Sequence, residues 1–239
     1  MIGFVVALPD EAPNLLTQIK DVHTSIINGH DVHVLKFLND YVCLIYSGVG
    51  KVNATMATQT LIDHFKVDTV INIGSCGAIA SNVELYDIVV PNLVGYYDVD
   101  LTAFGYKLNQ IPHGTDDYLI NKGFHEQVVN ILKLYPNHLT FGKLVSGETF
   151  VTKENISKYH IDEKAIAVDM ESGAIAQTCE HNRVKYVIIK IVSDSIYKDE
   201  ENAISWKNNI KLVGDLVTKI ICDLAYCLIY HKHPQTPKV

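Results

Sequence analysis

The sequence predicts an α/β fold built on a mainly parallel or mixed β-sheet. Short continuous apolar runs, such as residues 2–8 and 69–73, are typical of strands that are buried on both faces. Segments with helical spacing alternate with these runs, as expected for a sheet that is covered by helices. The chain has 239 residues, of which 48% are hydrophobic, so it can form one large core. We therefore predict one domain over residues 1–230 and a frayed tail over residues 231–239.

In the first half of the chain, glycine, proline and acidic residues mark the ends of the predicted elements. The elements are, in order, a strand at 2–8, a helix start at 10–13, a hairpin of strands 33–37 and 41–46 turning at 39–40, a helix from the glycine turn 48–50 to about residue 65, and strands at 69–73, 87–91 and 93–97. The strand at 69–73 is predicted to end in the glycine turn 74–77, where the backbone can approach another group closely.

The second half begins with a long loop at residues 98–117, and loops of this length in compact domains are often functional. The following elements are predicted to be a helix at 118–134, a strand at 140–146, a short helix at 153–158, a strand that gives way to a helix within segment 165–176, a strand at 186–192, a turn at 193–194 and a helix at 202–230. The segment 165–176 combines the acids Asp169 and Glu171 with small residues at helical spacing.

Composition argues against several classes of partner. The net charge of −7 disfavours a nucleic-acid or anionic-membrane surface, since both require a basic face. The five cysteines form no C-x-x-C pair and are typical of buried thiols in a reducing compartment. The first residues do not resemble a signal peptide, and no apolar run is long enough to span a bilayer. The expected location is the cytoplasm.

Three acids follow predicted strands, at the sheet edge where α/β proteins bind ligands. Glu11 follows the first strand, Glu171 follows the strand in segment 165–176, and Asp194 follows the strand 186–192. Each has a structural alternative: Glu11 could offset a helix dipole and Asp194 could cap a turn. Their joint occurrence at one edge nevertheless predicts a site, because unpaired buried charges are costly.

The groups around these acids suit a small neutral ligand with hydroxyls and a flat ring. Phe150 offers a stacking ring, and Leu8, Val49, Met170 and Trp206 offer apolar walls. Two acids could hydrolyse a glycosidic bond, one protonating the leaving group and the other activating water. Ser75 could take part, or could simply bond to a turn.

Several common motifs are absent, so we predict neither a metal nor a cofactor. Val52 follows Gly50-Lys51 where a phosphate loop requires Ser or Thr, and the glycine spacing also differs. The turn at residues 48–50 lacks the third glycine of a dinucleotide fingerprint. The eleven histidines show no paired metal-ligand spacing around a glutamate.

Six segments resemble, in order and spacing, the bacterial 5′-methylthioadenosine/S-adenosylhomocysteine nucleosidases of the nucleoside phosphorylase superfamily: SGVGKVNA, INIGSCGA, YYDVDLTAFGY, LVSGETF, AIAVDMESGAIA and VSDS. The resemblance covers nearly the whole chain, up to the final helix. It implies a phosphorylase/hydrolase-like, three-layer α/β/α fold with a central mixed, partly parallel twisted sheet. It also implies hydrolysis of methylthioadenosine and S-adenosylhomocysteine to adenine and a thioribose product, a reaction of methionine salvage, with 5′-deoxyadenosine as a further candidate substrate.

The resemblance also implies a role for each matching residue. Asp194 corresponds to the acid at nitrogen 7 of adenine, and Glu11 to the carboxylate that deprotonates the attacking water. Glu171 corresponds to the acid that bonds the ribose 2′- and 3′-hydroxyls. The other implied substrate contacts are Met170 at the ribose, Phe150 and Val151 at the adenine, Ser75 near the water, and Ser193 beside the acid. Leu8, Val49, Leu101, Phe104, Tyr106, Pro112 and Trp206 fall on or near positions that line the alkylthio pocket. In relatives the Phe104 loop reaches the neighbouring subunit's site, which implies a homodimer.

The chain departs from this pattern at three places. Lys190 stands where many relatives carry an arginine that helps to order the glutamate and the water, and lysine lacks the planar fork. Alternatively, Lys190 could extend from its strand toward solvent. Leu8-Pro9 and Trp206 also differ from the usual residues and could reshape the alkylthio end.

Two other functions compete with hydrolysis. A purine nucleoside phosphorylase would need a phosphate site, which that class builds largely from arginines, and Arg183 is the only arginine here. A non-catalytic nucleoside-binding module would not need all three acids. The sequence does not rank methylthioadenosine, S-adenosylhomocysteine, 5′-deoxyadenosine and 6-amino-6-deoxyfutalosine as substrates.

Overall fold

A computed structural model describes residues 1–112, 114–198 and 201–232. These residues form five α-helices, namely α1 (Leu15–Gln18), α2 (Lys51–Phe65), α3 (Lys122–Leu132), α4 (Ser172–Asn182) and α5 (Asn202–Lys232). They also form twelve strands, namely β1 (Ile2–Val6), β2 (Val22–Ile27), β3 (His30–Phe37), β4 (Asp40–Tyr46), β5 (Thr69–Ala78), β6 (Ile88–Val89), β7 (Leu93–Tyr96), β8 (Asp117–Leu119), β9 (Leu139–Thr140), β10 (Lys143–Ser146), β11 (Ala165–Asp169) and β12 (Lys185–Ser195).

The strands form one mixed sheet with helices packed against it, which confirms the predicted α/β fold. The main path runs β2-β3-β4-β1-β5-β11-β10-β7-β8, and β12 pairs with both β5 and β6. The pairs β1–β4, β1–β5 and β5–β12 are parallel, whereas β11 meets the end of β5 in the antiparallel direction. β5 therefore lies at the centre, and its carboxyl end adjoins the ends of β11 and β12.

The helix α4 packs closely against the sheet because its first residues are small. A Cβ atom at Gly173 would lie 2.8 Å from Cε1 of Tyr96 on β7, so a larger side chain would force the helix away. Ala174 and Ala176 are buried, as the helical spacing of small residues predicted. This close packing holds the end of β11, and with it Glu171, against the centre of the sheet.

Two predicted strand ends are wrong in a way that bears on function. β5 continues through the predicted glycine turn to Ala78, and β12 continues through the predicted turn to Ser195. The glycines in β5 leave room for carboxylates rather than for a turn: a Cβ at Gly74 would lie 2.9 Å from Glu11 Oε1, and one at Gly77 would lie 3.1 Å from Asp194 Oδ2.

Other boundaries differ from prediction because strand pairing determines them. The hairpin turns at residues 38–39 rather than 39–40, since Phe37 pairs with Asp40. The strands β2 and β8 were not predicted, and β8 precedes a helix that is shorter than expected. The predicted strand 140–146 divides into β9 and β10, which pair with different strands.

Within the described ranges no helix is long and apolar enough to cross a membrane. The backbone of α5 continues to Lys232, two residues beyond the predicted domain boundary at residue 230. The rest of the predicted tail, residues 233–239, lies outside the described residues.

Candidate active site

A cavity of about 300 Å³ lies at the carboxyl ends of β1, β5 and β11 and beside the end of β12. All three predicted acids line the cavity, and so do the aromatic and aliphatic side chains that were predicted to form its apolar walls. The lining residues are Ala7, Leu8, Glu11, Val49, Ser75, Cys76, Gly77, Thr149, Phe150, Val151, Val168, Asp169, Met170, Glu171, Ser193, Asp194, Ala203, Trp206 and Lys207.

Glu11 is buried on a short 3₁₀ helix (Pro9–Glu11) that follows β1. The backbone N–H and the hydroxyl of Ser75 donate to its Oε1 over 2.7 and 2.6 Å, and the Leu8 N–H donates to Oε2 over 3.2 Å. Hydrogen bonds of this kind satisfy a buried carboxylate. Glu11 is thus held rigidly at the wall of the cavity beside β5.

Trp206 on α5 adds a donor to this arrangement. Its indole N–H donates to Oγ of Ser75 over 3.3 Å. Because an indole can only donate, the single hydroxyl proton of Ser75 remains available for Glu11. The structure places Trp206 at the cavity, as predicted. Its hydrogen bond to Ser75 was not predicted.

Glu171 lies between β11 and α4, deep in the cavity. The N–H of Gly50, at the start of α2, donates to its Oε1 over 3.0 Å, and the Lys190 ammonium lies 3.7 Å from its Oε2. The pKa of Glu171 is raised to about 7, mainly because the carboxyl is buried; Lys190 and the Gly50 N–H lower the pKa, while Asp169 and Glu11 raise it. Glu171 therefore gains a proton more readily than an exposed glutamate.

Lys190 is fully inside the protein, which rules out the alternative that it extends to solvent. Its side chain is 1% exposed, and its ammonium lies 2.9 Å from Oδ2 of Asp169. Burial lowers the pKa of Lys190, but Asp169, Glu171 and Glu11 together outweigh this and raise it. Lys190 thus stays charged, and its two nearest carboxylates are those of Asp169 and Glu171.

Asp169, which the sequence marked as conspicuous, supports the site through its hydrogen bonds. It accepts from the hydroxyl of Ser146 on β10 and from the backbone N–H of Ser172 over 3.0 Å. With Lys190 these contacts join β10, β11, β12 and α4. They form a buried network directly behind Glu171.

We expect Lys190→Met to lower the free energy of unfolding by about 3–5 kcal/mol, because it leaves two buried carboxylates without their cation. Urea unfolding monitored by circular dichroism measures this loss. The control is Lys185→Met, since Lys185 is exposed at the start of the same strand. Equal stability of the two variants would show that the buried ion pair contributes nothing.

Asp194 lies on β12, and 2% of the residue is exposed. The amide of Asn202 donates to Oδ2 over 2.8 Å, and the hydroxyl of Ser193 lies 2.9 Å from Oδ1. Burial raises the pKa of Asp194 to about 6, although the bonds from Asn202 and Ser193 oppose the shift. Asp194 can therefore hold a proton close to neutral pH, as a general acid must.

Phe150 and Val151 form the opposite wall. The backbone around them is fixed by Asn155, whose amide donates to the carbonyl of Phe150 over 2.9 Å, and by a bond from the Tyr97 hydroxyl to the carbonyl of Thr149. Phe150 is 40% exposed, so one part of its ring is free to contact a ligand. A flat base can therefore stack here.

Of the sixteen residues predicted at the site, eleven line the cavity and five do not. Those at the cavity are Leu8, Glu11, Val49, Ser75, Phe150, Val151, Met170, Glu171, Ser193, Asp194 and Trp206. Leu101, Phe104, Tyr106 and Pro112 do not line it within this chain, and Phe104 is 77% exposed on the surface. Lys190 lies behind the cavity wall.

Three contributors were missed by the sequence analysis. Asn202 donates to Asp194, the Gly50 N–H donates to Glu171, and the carboxylate of Glu148 accepts from the Lys51 N–H over 2.7 Å at the start of α2. The glycine turn before α2 was a usable signal, since helix N-termini bind carboxylates. The sequence around Asn202 gives no sign of its role, apart from its place at the start of the predicted helix 202–230. Among the described residues no cluster of three or more His, Cys, Asp or Glu side chains could hold a metal ion.

Comparison with known proteins shows the family. A family profile described as the Phosphorylase superfamily matches residues 1–225. The chain is 38% identical over 227 residues to a 5′-methylthioadenosine/S-adenosylhomocysteine nucleosidase of Buchnera aphidicola, covering 92% of this chain and 95% of the relative. The corresponding protein of Haemophilus ducreyi is 34% identical over 223 residues, covering 92% and 95%. The chain belongs to the Phosphorylase superfamily and, within it, to the family of these nucleosidases.

Solved structures of such nucleosidases share the fold. The Streptococcus pneumoniae enzyme with a transition-state inhibitor has a TM-score of 0.83 and 29% identity, covering 95% of this chain and 99% of the other. The Colwellia psychrerythraea enzyme in complex with adenine has a TM-score of 0.80 and 28% identity, covering 93% of each chain. These similarities confirm the predicted family and the predicted phosphorylase/hydrolase-like architecture.

Proposed function

We propose that this chain hydrolyses the N-glycosidic bond of 5′-methylthioadenosine and S-adenosylhomocysteine, releasing adenine and the thioribose product. The observation that carries the proposal is one cavity lined by Glu11, Glu171, Asp194 and the ring of Phe150. Two carboxyls of different environment suit the two proton transfers of glycoside hydrolysis. The third carboxyl, that of Glu171, suits the ribose diol, since its oxygens can accept hydrogen bonds from hydroxyls.

In the proposed reaction Asp194 acts as the acid and Glu11 as the base. The O–H bond of Asp194 breaks as its proton forms an N–H bond at nitrogen 7 of the base. The electron pair of the glycosidic C–N bond leaves with the base, which departs as neutral adenine. The oxygen of water then bonds to the anomeric carbon while its proton passes to Glu11. Negative charge on Glu11 favours the positive charge that develops on the sugar.

The geometry favours water over phosphate as the nucleophile. Arg183, the only arginine, ends α4 in the left-handed conformation and lies outside the cavity. Lys190 is already paired with Asp169, so it is not available to bind a phosphate dianion. A phosphorylase would thus have to bind its anion beside Glu11 and Glu171 without a guanidinium, which is electrostatically unfavourable.

The test is adenine release from each candidate nucleoside with and without phosphate. Methylthioadenosine, S-adenosylhomocysteine, 5′-deoxyadenosine and 6-amino-6-deoxyfutalosine form the panel. We expect the rate to be independent of phosphate and the sugar product to carry a free anomeric hydroxyl. A strict phosphate requirement with a pentose 1-phosphate product would support the phosphorylase, and binding without adenine release would support a non-catalytic module.

We expect Phe150→Ala to weaken adenine binding by about 1–3 kcal/mol, the usual contribution of a base stacked on an aromatic ring. Titration calorimetry with adenine measures the change. Phe141→Ala is the matched control, because Phe141 is 44% exposed, close to the 40% of Phe150, but lies outside the cavity. An equal, small effect of both substitutions would place the base elsewhere.

We further propose that the protein acts as a homodimer in the cytoplasm, in methionine salvage. Support for the dimer comes from the loop that carries Leu101, Phe104, Tyr106 and Pro112, which projects Phe104 into solvent and does not line the cavity of its own chain. A second copy would bury this ring and could complete the alkylthio end of the site. Light scattering of Phe104→Ser against the wild type tests the role of this ring in association.

A further inference from the structure

Asn202, the first residue of α5, connects two sides of the cavity: the side that carries Asp194 and the side that carries Phe150. Its side chain is buried, with 3% of the residue exposed. Its Nδ2 donates to Oδ2 of Asp194 over 2.8 Å, and its Oδ1 accepts from the backbone N–H of Lys153 over 3.3 Å. Lys153 follows closely on Phe150 and Val151. A single amide therefore ties the acid of β12 to the segment that carries the stacking ring.

The two bonds permit only one orientation of the amide. A backbone N–H can only donate, so the atom that faces Lys153 must be Oδ1. The NH₂ group of Asn202 then necessarily points at the carboxyl of Asp194. If the amide were reversed, its NH₂ group would face the Lys153 N–H, donor against donor, and its oxygen would face the carboxylate, acceptor against acceptor. Asn202 is thus a fixed donor to Asp194.

The carboxyl of Asp194 is held on both sides. Its Oδ2 lies against Asn202 and close to Gly77, where an added Cβ would be 3.1 Å away. Its Oδ1 lies 2.9 Å from Oγ of Ser193, which also lies 3.1 Å from the carbonyl of Cys76. Rotation of the carboxyl would break the bond to Asn202.

We propose that Asn202 is a positioning residue for the proposed proton transfer: it holds the Asp194 carboxyl toward the base. The inference rests on the proposed function and adds to it a residue that acts through Asp194. Without the amide, the carboxyl has a donor on one side only and is free to turn. Small misplacements of a catalytic group lower rates substantially.

The electrostatics agree with this role. The donated bond stabilises the ionised form of Asp194 and so lowers its pKa, against the rise that burial causes. Asn202 therefore keeps the acid from holding its proton too tightly. The other ionisable groups on the elements around Asp194 are Glu11, Cys76, Asp169, Glu171, Lys190 and Lys207, and the substitutions below leave all of them in place.

The test compares pH profiles of adenine release for the wild type and for Asn202→Ala. The fall of kcat/KM at high pH, its alkaline limb, reports the pKa of the catalytic acid in the free enzyme. In the wild type we expect the midpoint of this limb near pH 6, the pKa of Asp194. In Asn202→Ala the limb should move to higher pH, because the carboxylate has lost a donor, and kcat should fall by about 10- to 100-fold. Asn202→Ser, whose hydroxyl is too short to reach Asp194, should behave alike and provides a second variant if the first does not fold.

Asn208→Ala is the control, because Asn208 lies on the exposed face of the same helix. It should leave the limb and kcat unchanged. Variants at Asn202 that lose thermal stability but keep the wild-type limb and kcat would overturn the positioning role and indicate a purely structural one. A wild type that releases no adenine would overturn the proposed function itself, so the two failures are distinguishable.

Discussion

Asp194→Asn should lower kcat/KM for adenine release by about 10²–10⁴-fold while leaving the affinity for adenine nearly unchanged. The substitution keeps the shape of the side chain and removes the only proton that the proposed mechanism delivers to the base. The pKa of about 6 means that wild-type Asp194 gains this proton as the pH falls through 6 and loses it as the pH rises. The residual activity of the variant should therefore lack the alkaline limb near pH 6.

Two measurements separate catalysis from binding in this variant. Adenine release gives kcat/KM, and the emission of Trp206, the only tryptophan, follows ligand binding directly because this residue lines the cavity. Asp215→Asn, on the exposed surface of α5, is the control for removal of a carboxylate. If Asp194→Asn retained more than a tenth of wild-type activity, proton donation would have to come from another group.

Glu11→Gln should lower kcat by a similar factor of about 10²–10⁴, with little change in KM. The amide oxygen of glutamine can still accept both bonds from Ser75, and only the longer bond from the Leu8 N–H is lost, so the wall of the cavity should largely keep its form. Glutamine cannot take a proton from water, so the nucleophile is no longer activated. Steady-state kinetics with methylthioadenosine measure the effect.

The neighbouring acid provides the matched control for Glu11. Asp10→Asn alters the preceding residue of the same 3₁₀ helix, which is exposed, and should leave kcat unchanged. If Glu11→Gln raised KM and left kcat intact, Glu11 would contribute to binding and the base would have to be sought elsewhere. Circular dichroism of both variants confirms that the fold is retained.

The positions of the three acids relative to the sheet were predictable, but the course of the strands around them was not. Glycines at 74 and 77 suggested a turn, since glycine is unfavourable within strands. In the structure each glycine faces a carboxylate, of Glu11 and of Asp194, and pairing with β12 along its whole length keeps β5 extended. Tertiary contacts thus override the local preference at the two places where the site needs space.

Lys190 shows the same limit for a charged residue. The sequence left open whether its ammonium reaches solvent or the site, because either is compatible with a lysine in an apolar strand. The structure places it beside Asp169 and Glu171, residues about twenty positions away along the chain. Only the antiparallel meeting of β11 with β5, beside β12, brings these charges together.

The α/β class, the family and the three acids at one sheet edge could all be predicted from the sequence, because strand periodicity and family motifs are local properties that single segments carry. Which groups act on those acids depends on the tertiary structure. Asn202 bonds Asp194, Trp206 bonds Ser75 behind Glu11, and Lys190 pairs with Asp169 behind Glu171. The physical reason is that the pKa of a carboxyl depends on its burial and on charges and donors within a few ångströms, and these neighbours come from distant segments that only folding brings together.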